Sequence, residues 1–231
     1  MNLKLKSTKI LRYAKKVKSI NYLGGKCVNC NESNIFKITF HHLNKNEKEF
    51  EYGEYTGYKW SVIKKELDKC ITLCQNCHKE FHYNENVIRN NYKKVYLEYA
   101  GCECSKCGYN KCIASLTFHH RNPDEKIFSL GNMSTNIKSV AELRDHIKDE
   151  IDKCDILCAN CHVLEHSDID FYEKYKKEIE DKVISYKEIQ PKIDRENVIK
   201  MYKIGVKQVD IAKHFNASKG TISDIIKKYR E

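Results

Sequence analysis

One pattern of cysteines and histidines is written twice along this chain, and it constrains the fold more than any other feature. The first copy reads Cys27-Val-Asn-Cys30, His41-His42, Cys70, Cys74-Gln-Asn-Cys77-His78 and His82. The second reads Cys104-Ser-Lys-Cys107, His119-His120, Cys154, Cys158-Ala-Asn-Cys161-His162 and His166. From Cys70 to His82 the spacing equals that from Cys154 to His166. Where thiols stay reduced, Cys-x-x-Cys pairs are metal ligands rather than disulfides. Two such pairs per copy suit a tetrahedral four-cysteine zinc site, with thiolates at about 2.3 Å from the ion. Two structural zinc ions are therefore expected, one on Cys27, Cys30, Cys74 and Cys77, the other on Cys104, Cys107, Cys158 and Cys161. Blocks this small have little core and should depend on the metal to fold. Of the remaining cysteines, Cys70, Cys154 and Cys112 read as small buried hydrophobes. Cys102 offers an alternative zinc register.

The chain opens MNLKLKSTKILRYAKKVK, with no apolar run of signal-peptide type, and no stretch approaches the ~18–20 apolar residues of a membrane span. An intracellular, cytoplasmic protein with no membrane partner is expected. Forty-two Lys and Arg against thirty-two Asp and Glu give +10. Two zinc-thiolate sites would bring this to about +6, still basic. A positive surface favours nucleic acid, although lysine-rich solvated faces are common for other reasons.

Three units separate along the 231 residues. Residues 1–87 carry the first block and 88–185 the second. A linker at 186–193 contains Gln190-Pro191, where helix should end. Residues 194–231 lack cysteine. Each block opens with a basic helix, at 8–23 and 88–100, bearing Tyr22 or Tyr99 five residues before the first cysteine of its knuckle. Two short strands are expected next, one over 35–42 in the first copy and 113–120 in the second, from their alternating apolar residues. A helix follows at 62–69 or 142–153, and the second knuckle launches a last helix. The copies differ mainly in a connection six residues longer in the second, with Pro123 and Gly131. That loop should make the halves touch different things.

A closed four-cysteine site leaves the histidines unexplained. His78 and His82 stand four apart on a helix, share a face and can grip one ion. His41 and His42 are neighbours on a strand, so one can face a metal while the other faces a water. A lone histidine is usually a satisfied core residue; four in register, repeated, argue otherwise.

The arrangement CxxC…HH…CxxCHxxxH, with the wording GGKCVNC, LTFHHRNPDEKIFSL and DKCDILCANCHVLEH, resembles the HNH endonucleases of phages, viruses and bacteria. Both blocks share the likeness. It implies an α+β fold: two tandem ββα-metal domains built on a zinc-bound treble clef. By that resemblance His42 and His120 are general bases activating water. His41, His78 and His82, and in the second copy His119, His162 and His166, would each bind one catalytic divalent ion, magnesium or manganese. The products would carry 3′-hydroxyl and 5′-phosphate ends. The family often has Asn nine residues before the first histidine of the last helix, where this chain has Lys69 and Lys153. That Asn steadies the loop holding the general base, so either backbone contacts replace it or catalysis weakens.

Residues 194–231 fit three short helices resembling a helix-turn-helix. Ile211, Ala212, Phe215, Ala217, Ile222 and Ile225 fall at its packed positions, Asn216 suits the turn, and Ser218 caps the last helix. Ser218, Lys219, Thr221, Ser223 and Lys227 would face double-stranded DNA. A small helical bundle for dimerisation is the other explanation. Duplicated sites suit the two strands of a duplex, so the expectation is a monomeric internal pseudo-dimer making a double-strand break on nucleoid, viral or phage DNA. The alternatives are a nicking or homing-type enzyme with one working site, and a non-catalytic zinc-dependent DNA-binding protein.

Overall fold

The computed structural model describes residues 3–50, 57–83, 91–130, 139–184, 193, 195–215 and 217–230. The expectations about Gly131, Gln190-Pro191 and Asn216 lie outside them. The fold is α+β, with two small antiparallel two-stranded sheets among short helices. It divides into two compact units: Met1–Cys74 with Asp168–Glu231, and Gln75–Ser167. Among the described residues no helix is long and apolar enough to cross a membrane.

In the first unit, α1 (Leu3–Tyr22) begins earlier than its apolar pattern suggests and leads into the first cysteine turn. Strand β1 (Ile38–His42) pairs with β2 (Cys70–Cys74), His42 opposite Cys70, and α2 (Trp60–Leu67) lies between them in sequence. The strand partner is thus the CITLC run after the helix, not a second strand before it. Buried Ile20, Ile38, Ile63, Leu67, Ile71 and Leu73 form the centre of this unit.

The second unit starts with α3 (Gln75–His82), which continues directly from β2. Then come α4 (Asn91–Ala100), β3 (Leu116–His120), α5 (Asp145–Asp152), β4 (Cys154–Cys158) and α6 (Ala159–Glu165). Strands β3 and β4 repeat the first pairing, with His120 opposite Cys154. Tyr92, Val95 and Tyr96 of α4 close an apolar cluster with Leu143, Ile147 and Ile151.

After that the chain returns to the first unit. Helix α7 (Ile169–Lys174) is capped by the Asp168 carboxylate, which accepts from the Phe171 amide at 3.0 Å. Helix α8 (Lys176–Ile184) packs along α1, burying Ile179 with Ile10 and Ala14. Tyr13, Phe36, Phe171 and Tyr172 stack edge and face beside it. Helices α9 (Arg195–Lys203), α10 (Gln208–His214) and α11 (Lys219–Arg230) pack on one another around Val198, Met201, Ile211, Ile222 and Ile226. Ile226 takes the buried position expected of Ile225. From Ile222 both are helical neighbours, and the Ser218 cap sets the register that turns Ile226 inward.

Within the first unit these helices dock through an abutting backbone. A Cβ on Gly24, where φ is +98°, would sit 3.2 Å from the Cα and carbonyl oxygen of His214. The His214 Nδ1 is buried without a hydrogen-bond partner. Burial pushes the imidazole down to about 4. The unfolded chain binds its proton near pH 6.5 and the folded one only near 4, so stability is full above 6.5 and is lost as pH falls between them. By pH 5 the wild type should lose about 2 kcal/mol relative to His214→Phe. Thermal unfolding of both proteins at pH 7 and 5 measures this, and parallel pH dependences would contradict it.

Candidate metal centres

Each four-cysteine group is assembled from a knuckle turn and a strand–helix junction. The Cys27 amide donates to the Glu32 carbonyl and the Asn31 amide to the Cys27 carbonyl; Cys104 pairs in the same way with Tyr109, and Gly108 with Cys104. Both turns need a left-handed residue, supplied by Asn31 (φ 64°) and by Gly108 (φ 68°). The Val28 amide then bonds the Thr72 carbonyl at 3.0 Å, and Ser105 bonds Ile156 at 2.8 Å, stitching each knuckle to its strand. Cys74 and Cys158 end those strands, while Cys77 and Cys161 stand on the first turn of the helix that follows.

The resulting groups are Cys27, Cys30, Cys74 and Cys77, and Cys104, Cys107, Cys158 and Cys161, their sulfurs all within 4.8 Å of one another. Cys30 and Cys74 Sγ are 3.6 Å apart, and Cys107 and Cys158 Sγ 3.7 Å. A tetrahedron with zinc–sulfur bonds of about 2.3 Å has edges of about 3.8 Å. The donors fit, and each group can hold a structural zinc. Cys102 stands outside both groups. Cys70 and Cys154 are also outside, their thiols donating to the Glu66 and Glu150 carbonyls. Burial pushes those thiols up to about 12 and about 11, which keeps them protonated and inert.

The histidines divide by strand face as expected. His41, His78 and His82 form one three-nitrogen group and His119, His162 and His166 another, each within 4.8 Å. In the second, ring centroids lie 4.7 to 5.4 Å apart. Burial, then the neighbouring His82, pushes His78 down to about 4; burial, then His166 and His119, lowers His162. A histidine held neutral keeps the lone pair that a metal needs. Three convergent imidazoles with bonds of about 2.1 Å are a suitable donor set for one divalent ion.

His42 and His120 face the other way and each meets a carboxylate. His42 Nε2 lies 2.8 Å from Glu66 Oε1, and His120 Nε2 lies 2.8 Å from Glu150 Oε1. Glu66 is 5% exposed and Glu150 fully buried. Burial alone would disfavour their ionised forms and raise their pKa values. The Lys153 ammonium, His120 and the Ile127 and Phe128 amides instead hold Glu150 down to about 2, and Lys69, the Glu49 amide and His42 hold Glu66 below its usual range. An ionised carboxylate only accepts, so Nε2 of each histidine is the donor, and in the neutral ring Nδ1 keeps the lone pair.

Two lysines, Lys69 and Lys153, complete this arrangement. Lys69 Nζ bonds Glu66 at 2.8 Å, Glu49 at 2.6 Å and the Glu47 carbonyl at 3.0 Å. Lys153 bonds Glu150 at 2.9 Å and the Glu125 carbonyl at 3.3 Å. Each lysine thus ties the loop after the His-His pair to the carboxylate that orients the histidine. Glu66 and Glu150 were missed from sequence, yet the signal was present: both copies read Glu-x-Asp-Lys-Cys before the second strand. Beside His120 lies a cavity of about 310 Å³, also lined by Lys93 and Lys126.

Helices α3 and α6 pack together within the second unit through one reciprocal pair. The Asn76 amide donates to the Asn160 side-chain oxygen at 3.2 Å, and the Asn160 amide to that of Asn76 at 3.0 Å. These are the same residue of the two knuckles, so the helices meet by a local two-fold relation. On α11, Ser218, Lys219, Thr221, Ser223 and Lys227 are all exposed. Ser218 Oγ accepts from the Thr221 amide at 3.0 Å, so its hydroxyl serves the cap. No protein-family model, curated protein or solved structure matches this chain.

Proposed function

We propose that the chain is a metal-dependent DNA endonuclease with two HNH-type sites, acting as an internal pseudo-dimer that breaks both strands of a duplex. One observation carries this: a histidine beside a buried carboxylate is the strand neighbour of one member of a three-histidine group, and the whole set occurs twice. Structural zinc needs none of these groups.

In each site the carboxylate, Glu66 or Glu150, fixes the tautomer of His42 or His120, leaving Nδ1 to take the proton of a water. The water oxygen bonds phosphorus as the bond to the 3′ oxygen breaks; that oxygen leaves with the bonding pair and takes a proton from solvent water, giving 3′-hydroxyl and 5′-phosphate ends. His41, His78 and His82, or His119, His162 and His166, would hold the divalent ion. When bound, it supplies positive charge for the phosphorane and the departing oxygen. Two copies of one site suit the two antiparallel strands of a duplex. Helices α9–α11 would serve as a helix-turn-helix reader, with Lys219, Thr221, Ser223 and Lys227 of α11 toward the groove.

Incubating zinc-loaded protein with supercoiled plasmid and magnesium or manganese should give linear product. If neither ion supports any cutting of plasmid or a random duplex library, the protein is a zinc-dependent binder and not a nuclease. A further outcome concerns the carboxylates. Glu66→Gln should slow cleavage at the first site by about 10–100-fold and Glu150→Gln likewise at the second, each with an unchanged KM. Single-turnover cleavage with strand mapping measures both, and unchanged rates would remove the carboxylates from the mechanism.

A further inference from the structure

The two copies differ at the residue that follows the paired histidines, Leu43 in the first and Arg121 in the second. In the second copy Arg121 reaches back to the end of α5. Its guanidinium donates to the Asp152 and Cys154 carbonyls and meets the Asp155 carboxylate at 3.0 Å. The Asp152 carbonyl and the Lys153 amide belong to one peptide plane, so a donor on that carbonyl fixes the chain as it enters Lys153. Lys153 in turn holds Glu150, which faces His120. Leu43 has no side-chain donor, so the first copy cannot make this tie from the same position.

A donor reaches the matching carbonyl from elsewhere in the first unit. The Asn197 carboxamide of α9 donates to the Asp68 carbonyl, and Asp68 is the counterpart of Asp152. Other contacts of the two turns correspond. The Tyr22 hydroxyl donates to Asp68 as Tyr99 does to Asp152, and the Leu43 and Arg121 amides bond the Lys69 and Lys153 carbonyls at 3.0 and 3.1 Å. Three residues further along α9, Lys200 Nζ stands 3.6 Å from the Glu47 carboxylate and 3.3 Å from that of Glu196. Glu47 also accepts from Lys69 through its carbonyl. Helix α9 therefore touches both segments that Lys69 bridges, the end of α2 and the loop after His42. The Lys200 pair is part exposed and weak, so the directional tie is the one from Asn197.

We infer that Asn197 is a positioning residue of the first site, taking from α9 the role that Arg121 takes within the second copy. The inference rests on the nuclease reading for what the site does, and on the hydrogen bonds for what holds it. The second site is held by its own loop, whereas the first is completed by the carboxy-terminal helices. Cutting of one strand is thereby tied to the seating of α9, and cutting of the other is not.

The zinc-loaded full chain separates the sites by background: His120→Ala leaves the first to be read and His42→Ala the second. Asn197→Ala should slow single-turnover nicking at the first site about three- to tenfold, as expected for one hydrogen bond, with KM unchanged. The second site should keep its rate, and Arg121→Leu should slow only the second. Val198 and Met201, which hold the helical core beside Asn197, are untouched. Leu43→Arg gives the first copy the donor of the second and should restore the first-site rate in Asn197→Ala, a repair that lost packing would not show. Equal slowing at both sites, a changed KM with unchanged kcat, an unaltered first site, or no restoration by Leu43→Arg would each overturn the assignment. A second measurement does not use cleavage. The Glu49 amide donates to Glu66 and the Ile127 amide to Glu150, both at 2.9 Å. Hydrogen exchange should quicken about three- to tenfold at Glu49 in Asn197→Ala and at Ile127 in Arg121→Leu, with Leu43→Arg restoring Glu49. If plasmid is never cut while these amides respond, the nuclease reading falls and the positioning role stands. If plasmid is cut while Asn197→Ala alters neither rate nor exchange, the reverse holds.

Discussion

His42→Ala should turn a double-strand cutter into a nicking enzyme, and His120→Ala should do the same with the nick on the opposite strand. Each substitution removes the proposed base of its own site, a loss of about 10²–10⁴ in rate there. The other site keeps its own histidine, carboxylate and lysine, His42 with Glu66 and Lys69 in one and His120 with Glu150 and Lys153 in the other. The double variant should cut neither strand. Agarose separation of supercoiled, nicked and linear plasmid, followed by strand mapping of the nick, measures this. Were one substitution silent and the other to abolish all cutting, only one site would be at work and the pseudo-dimer idea would fail.

Stripping zinc should have an even larger effect on the fold. Structural zinc contributes roughly 10–16 kcal/mol to small domains, against a typical total stability of about 5–15 kcal/mol. The core around each site is thin, and Cys27, Cys74, Cys104 and Cys158 are themselves among its buried residues. A strong chelator should therefore collapse the circular dichroism of the chain, and re-addition of zinc should restore it. Cys74→Ser and Cys158→Ser should each lower tightly bound zinc from two per chain to one. Cys70→Ser and Cys154→Ser should keep both ions, because those thiols bond backbone carbonyls instead. Elemental analysis after dialysis against a weak chelator reads the stoichiometry. Retention of two ions by Cys74→Ser would show that the metal sits elsewhere.

The metal groups were legible in sequence because a knuckle is local. Two cysteines three apart, followed by Asn31 or Gly108 in a left-handed turn, specify their own geometry. The split between His41 and His42 was legible for a similar reason, since a strand alternates its faces. Less local features were hidden. Nothing in KELDKC says that Glu66 will turn toward a histidine 24 residues earlier, because the i,i+3 pair with Lys69 is what a solvated helix face also looks like. The strand partner of β1 was obscured because CITLC runs into the ligand Cys74 and reads as part of the knuckle. The partner of α8 is set by the apolar face of α1, about 170 residues away, and no periodicity within α8 names it.

That last pairing bears on the order in which the chain can acquire structure during synthesis. The first unit is discontinuous, made of Met1–Cys74 and Asp168–Glu231, whereas Gln75–Ser167 is one uninterrupted stretch. A ribosome delivers α1 first, but the helix that covers its Ile10 and Ala14 emerges only after the whole of the later unit has been translated. At about 5–20 residues per second, α1 waits roughly ten seconds or more with its apolar stripe uncovered. The unit encoded second is therefore the one able to finish first, while the amino-terminal one waits for its last segment. A nascent chain stalled before α8 should hold Gln75–Ser167 protease-resistant and leave α1 open to cleavage.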